Sequence, residues 1–358
     1  MPRIDRENVH KRPTAIGSYI FAGGFTVGVE NAGFDVLCHM EETNYGVATF
    51  SHNRPEIPVY VGVDEWPYDD YEGRVDFVYG NPPCAAWSQA GNATKKGRTW
   101  DSSALVDCTR RHFQSLIRLR PRVWAWESVQ RAWSLGRSLV DGFAVEARDN
   151  GYSTTVLLHD AQYLGTPQSR KRFFLVCHDI ELPFPRPSWT TTTIDEALTS
   201  VADPGDPLES NLGRHRAILR HVRQGENLSS AWTRLTPEDR QIRGERGQMV
   251  GRPPFTIKRA RSGQPAPVVM HEILHPTEPR GLSIRELATL CGYPQDYEFI
   301  GAKDAGQVGR GVCPPVGEYL GRAVKSALRF SKRVVDPEYR LIDMTKPPMR
   351  IEKLDYPV

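Results

Sequence analysis

Residues 16–41 read IGSYIFAGGFTVGVENAGFDVLCHME. The first seven, 16–22, are apolar and β-prone and run into Gly23-Gly24. Residues 25–33 have helical spacing and stop near Gly33, and 34–39 form a second β-prone run closing on Glu41. Strand, glycine turn, helix, strand is the opening unit of a doubly wound sheet. Further strands are predicted at 75–79, 122–126, 153–158 and 172–177. Between them, 105–119 gives a helix whose apolar face is Val106, Phe113, Leu116, Ile117 and Leu119. The expectation is an α/β fold with a parallel, doubly wound, Rossmann-like sheet.

The texture changes at 180–210. Pro183, Pro185, Pro187, Pro204 and Pro207 mark a linker. Residues 211–261 then carry twelve Lys/Arg against four Asp/Glu, an excess suited to a polyanion or to a solvated surface. The predicted division is a first catalytic part over 14–184, a small recognition domain over 185–270, a return to the first domain over 271–330, and an extended arm over 331–358. In the third part Ser283 and Glu286 form the sequence signature of a capping box, and a last helix is expected from about 315 to 330. No apolar run reaches membrane-spanning length. The polar N-terminus lacks an apolar signal region, so a place inside a cell is expected. The six cysteines form no CxxC pair and no zinc-type cluster, so no metal is expected and the thiols read as free.

Cys84 has a distinct setting. It follows Val75-Asp-Phe-Val-Tyr-Gly-Asn-Pro-Pro83, a buried strand entering a turn stiffened by two prolines. Sites in open parallel sheets lie at the carboxyl ends of strands. A thiol there is either a nucleophile or an inert core residue. Glu127 ends the next strand, VWAWESV, beside the same edge. A carboxyl paired with a thiol can protonate a pyrimidine ring nitrogen while sulfur adds to the ring. In Thr166-Pro-Gln-Ser-Arg-Lys-Arg172 the alternation of an extended chain makes Gln168, Arg170 and Arg172 project together.

NPPCAAWSQAG (81–91), WESV (126–129) and GTPQSRKRFFLV (165–176) follow one another in the order and spacing of the DNA cytosine-5 methyltransferases. HPTEPRGLSIRELATLCGYPQDY (275–297) and GQVGRGVCPPVGEYLGRAV (306–324) extend the match. The chain resembles that family over about 16–177 and 271–325. The resemblance implies a class I methyltransferase sheet with a target recognition domain, double-stranded DNA as substrate and S-adenosylmethionine as cofactor. It assigns Cys84 to carbon 6 of a flipped-out cytosine, Glu127 to ring nitrogen 3, and Arg170, with Gln168 and Arg172 alongside, to support of the base carbonyl. Ser88, Lys95, Lys96 and Arg98 fall in the loop that closes over DNA, and Thr256, Lys258, Arg259 and Arg261 in the stretch facing the major groove. Phe21, Ala22, Gly23, Gly24, Glu41, Glu42, Asp64, Pro82 and Gly311 would line the cofactor site, with Glu41 on the ribose. A monomer in a prokaryotic or phage-infected cytoplasm is expected, with a cognate restriction nuclease as a candidate partner.

Two features depart from the family pattern. The glycine loop, Phe21-Ala-Gly-Gly24, looks two residues short and lacks an acidic residue before it. In the late motif Arg310 stands where the family has asparagine, next to a cationic sulfonium. Two like charges about 5 Å apart repel by roughly 3 kcal/mol at an effective dielectric near 20. Arg310 therefore faces solvent or DNA phosphate, pairs with an acid such as Glu318, or meets a carboxylate on the transferred carbon. The last case would make the cofactor carboxy-S-adenosylmethionine and the product 5-carboxymethylcytosine. Rival classes are a tRNA cytosine methyltransferase, a non-catalytic DNA-binding relative and a dinucleotide-dependent oxidoreductase. The last has no use for the Cys84, Glu127 and Gln-x-Arg-x-Arg set.

Overall fold

A computed structural model describes residues 12–62, 66–87, 104–208, 216–237, 256–303 and 305–357. Its centre is one nine-stranded sheet. The strands are β1 (Thr14–Ser18), β2 (Asp35–Glu41), β3 (Val59–Val61), β4 (Phe77–Gly80), β5 (Val123–Val129), β6 (Ser153–Asp160), β7 (Lys171–His178), and, from the C-terminal segment, β10 (Tyr339–Met344) and β11 (Arg350–Leu354). Their order is β11-β10-β6-β7-β5-β4-β1-β2-β3. A separate two-stranded ladder pairs β8 (Lys258–Arg259) with β9 (Ile273–Leu274).

β5 shows why the sheet is covered on both faces. All but its last residue are buried. Val123 and Ala125 join one core cluster, while Trp124 and Trp126 join the other. Period-two alternation thus sends small side chains to one layer and indoles to the opposite one. On the small-residue side, helices Gly24–Asn31 and Pro314–Phe330 pack backbone to backbone. A Cβ on Gly28 would meet the Pro314 carbonyl, and one on Gly317 would meet that of Phe25, so neither position tolerates a side chain at this separation.

The fold differs from the expected parallel sheet in one strand that matters. β7 is antiparallel to both β5 and β6. The connection from Asp160 to Lys171 is too short for a parallel crossover, which needs a dozen or more residues. As a result β7 starts where β1, β2, β4, β5 and β6 end. Arg170 and Arg172 are delivered to the edge that carries Ser18, Glu41, Gly80 and Glu127.

The expected arm over 331–358 is instead part of the sheet. β10 runs parallel to β6, and β11 turns back along it. Tyr339 is fully buried and donates its hydroxyl to Asp141 Oδ1 at 2.7 Å, and Arg340 Nε donates to Thr155 Oγ1 at 2.9 Å. The capping box is as expected: Ser283 and Glu286 cap helix Ile284–Cys291 reciprocally. A small separate core of Ile218, Leu219, Val222, Leu228, Ala231, Leu235, Ile257 and Leu274 marks the second unit. It begins later than residue 185, because Ile194 and Ala197 are buried in the main core. Among the described residues no helix is long and apolar enough to cross a membrane.

Candidate active site

At the carboxyl edge of the sheet, β4 stops at Gly80 and the chain turns through Asn81-Pro82-Pro83 to Cys84. Cys84 is partly exposed. Burial pushes its thiol pKa up, Arg172 and Arg170 pull it down, and Glu127 pushes it up. All three charged groups therefore act on one sulfur. Glu127 is 2% exposed, and its carboxyl pKa is raised by burial against the pull of Arg172 and Arg170. A carboxyl so placed holds its proton to higher pH than a surface glutamate and can donate it.

The residue that holds Glu127 from the strand turn is Asn81, which donates its side-chain amide to Glu127 Oε2. Sequence reasoning passed over Asn81, although a polar residue at the end of a fully apolar strand was the available signal. On the other side Arg172 Nε lies 3.4 Å from Glu127 Oε1. Burial and neighbouring Arg170 lower the Arg172 pKa to about 10.

Gln168, Arg170 and Arg172 share a face, but among the described residues only Arg172 makes an ion pair with Glu127, Arg170 acting on it at longer range. The two others are corrected to framework positions. Gln168 is fully buried: its carbonyl accepts from Val269 N at 3.0 Å, and its amide donates to Leu290 O at 3.2 Å and Cys291 Sγ at 3.4 Å. Arg170 donates to Gly309 O at 2.7 Å and Gly311 O at 3.0 Å, so it clamps the carbonyls on both sides of Arg310. The reason is general: loops that return into a core carry buried carbonyls and amides that need partners.

The opposite lobe of this edge is the glycine loop. Glu41, 3% exposed at the end of β2, accepts from Phe21 N at 2.6 Å, Glu42 N at 2.9 Å and Thr43 N at 2.8 Å. Its carboxylate therefore shapes the loop itself. Tyr19 and Phe21 both take φ of 53°, the left-handed backbone that glycine ordinarily supplies, at a cost of about 1–2 kcal/mol each. Gly23 follows with φ of 87° and caps helix Gly24–Asn31 without a side chain. The first amides of that helix, the Glu41 carboxylate and the buried Ala22 and Pro82 suit a nucleoside with a ribose diol. Glu42 is exposed and faces Arg111 at 3.8 Å. Arg310 is exposed, and its guanidinium lies 5.6 Å from the Phe21 ring centroid. The expected alternative of a Glu318 partner is corrected, because Glu318 pairs with Arg322 at 2.6 Å.

The DNA-facing expectations divide. Lys258 and Arg261 are exposed and Thr256 is half-buried. Arg259 is corrected: it is 5% exposed and donates to the carbonyls of Val222, Leu219, His275 and Glu278 at 2.5–2.8 Å. It joins β8 to the small core and spends four of its five N–H donors there. Asp64, Ser88, Lys95, Lys96 and Arg98 lie outside the described residues.

A strand-end glycine loop with an acid on the next strand, facing a thiol–carboxyl–guanidinium group across the edge of a mixed sheet, defines an α/β class I methyltransferase. The C-5 cytosine-specific DNA methylase model matches residues 20–326, and the chain belongs to that family. It is similar to the type II methyltransferase M1.HphI of Haemophilus parahaemolyticus, 28% identical over 87% of this chain and 86% of that protein. M.MthTI of Methanothermobacter thermautotrophicus is 26% identical over 86% of this chain and 95% of its own length. Among solved structures, the Entamoeba histolytica methyltransferase EhMeth shares the fold with a TM-score of 0.61 at 12% identity, covering 89% of this chain and 99% of that one. The chain is thus a DNA cytosine-5 methyltransferase in general activity.

Proposed function

We propose that the protein alkylates cytosine in double-stranded DNA through a covalent adduct of Cys84 with carbon 6 of a flipped-out base. The arrangement of Asn81, Glu127 and Arg172 around one thiol carries this reading. Glu127, with its raised pKa, gives its proton to ring nitrogen 3 and draws electron density from carbon 6. Cys84 sulfur adds there, Arg172 favouring its thiolate. The Glu127 carboxylate so formed is stabilised by Asn81 and Arg172. Carbon 5 becomes nucleophilic, and a sulfonium cofactor such as S-adenosylmethionine supplies the electrophilic carbon when bound. Loss of the carbon 5 proton to a base then lets sulfur leave. Glu41, Phe21, Gly23 and Gly24 would hold the nucleoside, and Lys258 and Arg261 would meet the DNA. DNA containing 5-fluorocytosine tests the reading. A denaturation-stable adduct with the native protein and none with Cys84→Ser supports it, and an adduct that persists in Cys84→Ser overturns it.

A second reading is favoured by Arg310. It makes no ion pair among the described residues, while its flanking carbonyls are fixed by Arg170. A cation carried on that backbone, 5.6 Å from the Phe21 ring centroid, fits a sulfonium whose transferred carbon bears a carboxylate, as in carboxy-S-adenosylmethionine. Calorimetry with both cofactors, on native protein and Arg310→Ala, measures this apart from turnover. Preference for the carboxylated form that vanishes in Arg310→Ala supports carboxymethyl transfer. Equal or weaker binding of that form by the native protein leaves methyl transfer. The DNA context of the type II relatives supports a modification role for this chain, with a nuclease partner.

A further inference from the structure

His159 sits one residue before the end of β6 and is 1% exposed. Neither of its ring nitrogens has a hydrogen-bond partner among the described residues. Buried polar atoms nearly always have partners, and a histidine with both nitrogens unsatisfied is costly to keep. Its ring stacks on Phe174, centroids 5.2 Å apart and planes 21° apart. In the β6–β7 ladder His159 stands directly opposite Arg172, and in the β5–β7 ladder Phe174 stands opposite Glu127. Directly opposed residues share a face with their Cβ atoms about 4.5–5.5 Å apart. Glu127, Arg172, Phe174 and His159 therefore lie on one face of three adjacent strands. Burial and the two guanidiniums lower the His159 pKa to about 3, so the ring is neutral, with one donor and one acceptor nitrogen.

Arg172 is incompletely held. Its Nη1 donates to Lys171 O at 2.8 Å and its Nε faces Glu127, which leaves Nη2 without a protein acceptor among the described residues. We propose that His159 is a positioning residue for Arg172. Its acceptor nitrogen, through one bridging water, fixes the guanidinium edge that Glu127 does not reach. Glu127 orients Arg172 from one strand and His159 from the other, so the guanidinium keeps its plane when the base enters. This inference rests on the proposed Cys84 and Glu127 chemistry and adds a residue to it.

The sign of the effect follows from the charges. The groups facing Arg172 are Glu127 from β5, Arg170 from its own strand entry, Cys84 after β4, His159 from β6 and Cys313 before helix Pro314–Phe330. Arg172 lowers the pKa of both Cys84 and Glu127. A guanidinium that drifts away lets both rise. The limb that needs Cys84 ionised and the limb that needs Glu127 protonated then move together to higher pH.

The experiment measures kcat against pH for native protein, His159→Leu and His159→Gln, with thermal unfolding of each. His159→Leu is expected to lower kcat roughly tenfold to a hundredfold, the scale of an ångström of misplacement. It is also expected to move both limbs to higher pH and to leave the melting temperature level or raised. His159→Gln, which retains a donor and an acceptor, is expected to recover much of kcat and return the limbs. Unmoved limbs in folded His159→Leu overturn the proposal. If His159→Leu does not fold, folded His159→Gln decides: limbs at their native positions support the proposal, and limbs displaced with kcat unrecovered overturn it. Adduct formation on 5-fluorocytosine DNA, run in parallel, separates failure here from failure of the covalent reading.

Discussion

Arg172 and Arg170 are two residues apart and do opposite things: Arg172 Nε lies 3.4 Å from Glu127 Oε1, while Arg170 spends its guanidinium on the carbonyls of Gly309 and Gly311. Substitution should separate them. Arg172→Ala is expected to fold and to lose about 10²–10³ in kcat, the scale for removing one preorganised charge-stabilising donor. Arg170→Ala leaves two buried carbonyls unsatisfied at about 1–3 kcal/mol each, so its first symptom is a lower melting temperature. Steady-state kinetics and thermal unfolding on both variants check the division. Equal loss of stability in the two would contradict it.

Asn81 gives a second prediction. It holds Glu127 Oε2 from the turn that also carries Cys84, so it couples the two halves of the site. A hydrogen bond to a charged group contributes about 1.5–3 kcal/mol. Asn81→Ala should therefore lower kcat by roughly tenfold to a hundredfold. The affinity for DNA should stay unchanged, because the Asn81 amide is spent on the acid. Single-turnover rates and equilibrium DNA binding test the two halves separately.

Much of this site was legible because the sheet edge collects strand ends. Cys84 and Glu127 follow apolar runs, and β4 and β5 pair in parallel as expected. The direction of β7 was not, since an apolar run reads the same in either direction. Only the shortness of the 161–170 connection carried that information. Gln168 and Arg170 were over-read for a related reason: alternation gives the face a side chain takes, but not whether backbone carbonyls from residues 290 and 309–311 will be waiting there. β10 was hidden by its flanks. Tyr-Arg-Leu-Ile-Asp-Met is β-prone, but Pro337, Pro347 and Pro348 around it read as an arm.

Arg259 and Arg261 offer a third contrast inside the basic segment. Arg259→Ala should destabilise the small core by about 3 kcal/mol or more, because four carbonyls lose their donor. Limited proteolysis of that unit should accelerate. Arg261 is exposed, and Arg261→Ala should leave proteolysis unchanged. On the proposed DNA contact, it should instead reduce the salt dependence of DNA binding by about one unit of slope. A proteolysis pattern reversed between the two would remove Arg261 from the DNA face and Arg259 from the framework.

Buried histidines set the acid limit of the fold. Burial lowers the pKa of His39, His159 and His178 to about 3 and that of His112 to about 4. Above about pH 6.5 these rings are neutral whether the chain is folded or not, and they contribute nothing to pH dependence. Below it the unfolded chain takes up protons that the folded chain refuses, so stability falls as pH falls towards 4. Each ring costs up to about 1.4 kcal/mol per pH unit in that window. Glu41 and Glu127, with raised pKa values, act in the opposite sense, but they are two groups against four. By pH 5 the histidines together remove roughly 8 kcal/mol, which is comparable with the whole stability of a typical domain. The melting temperature should therefore drop steeply between pH 6.5 and 5, with proton uptake on unfolding. In His178→Asn, which deletes one such ring, the slope should fall by about one proton. A melting temperature level from pH 7 to 5 would mean that these rings are solvated or charged in the folded protein.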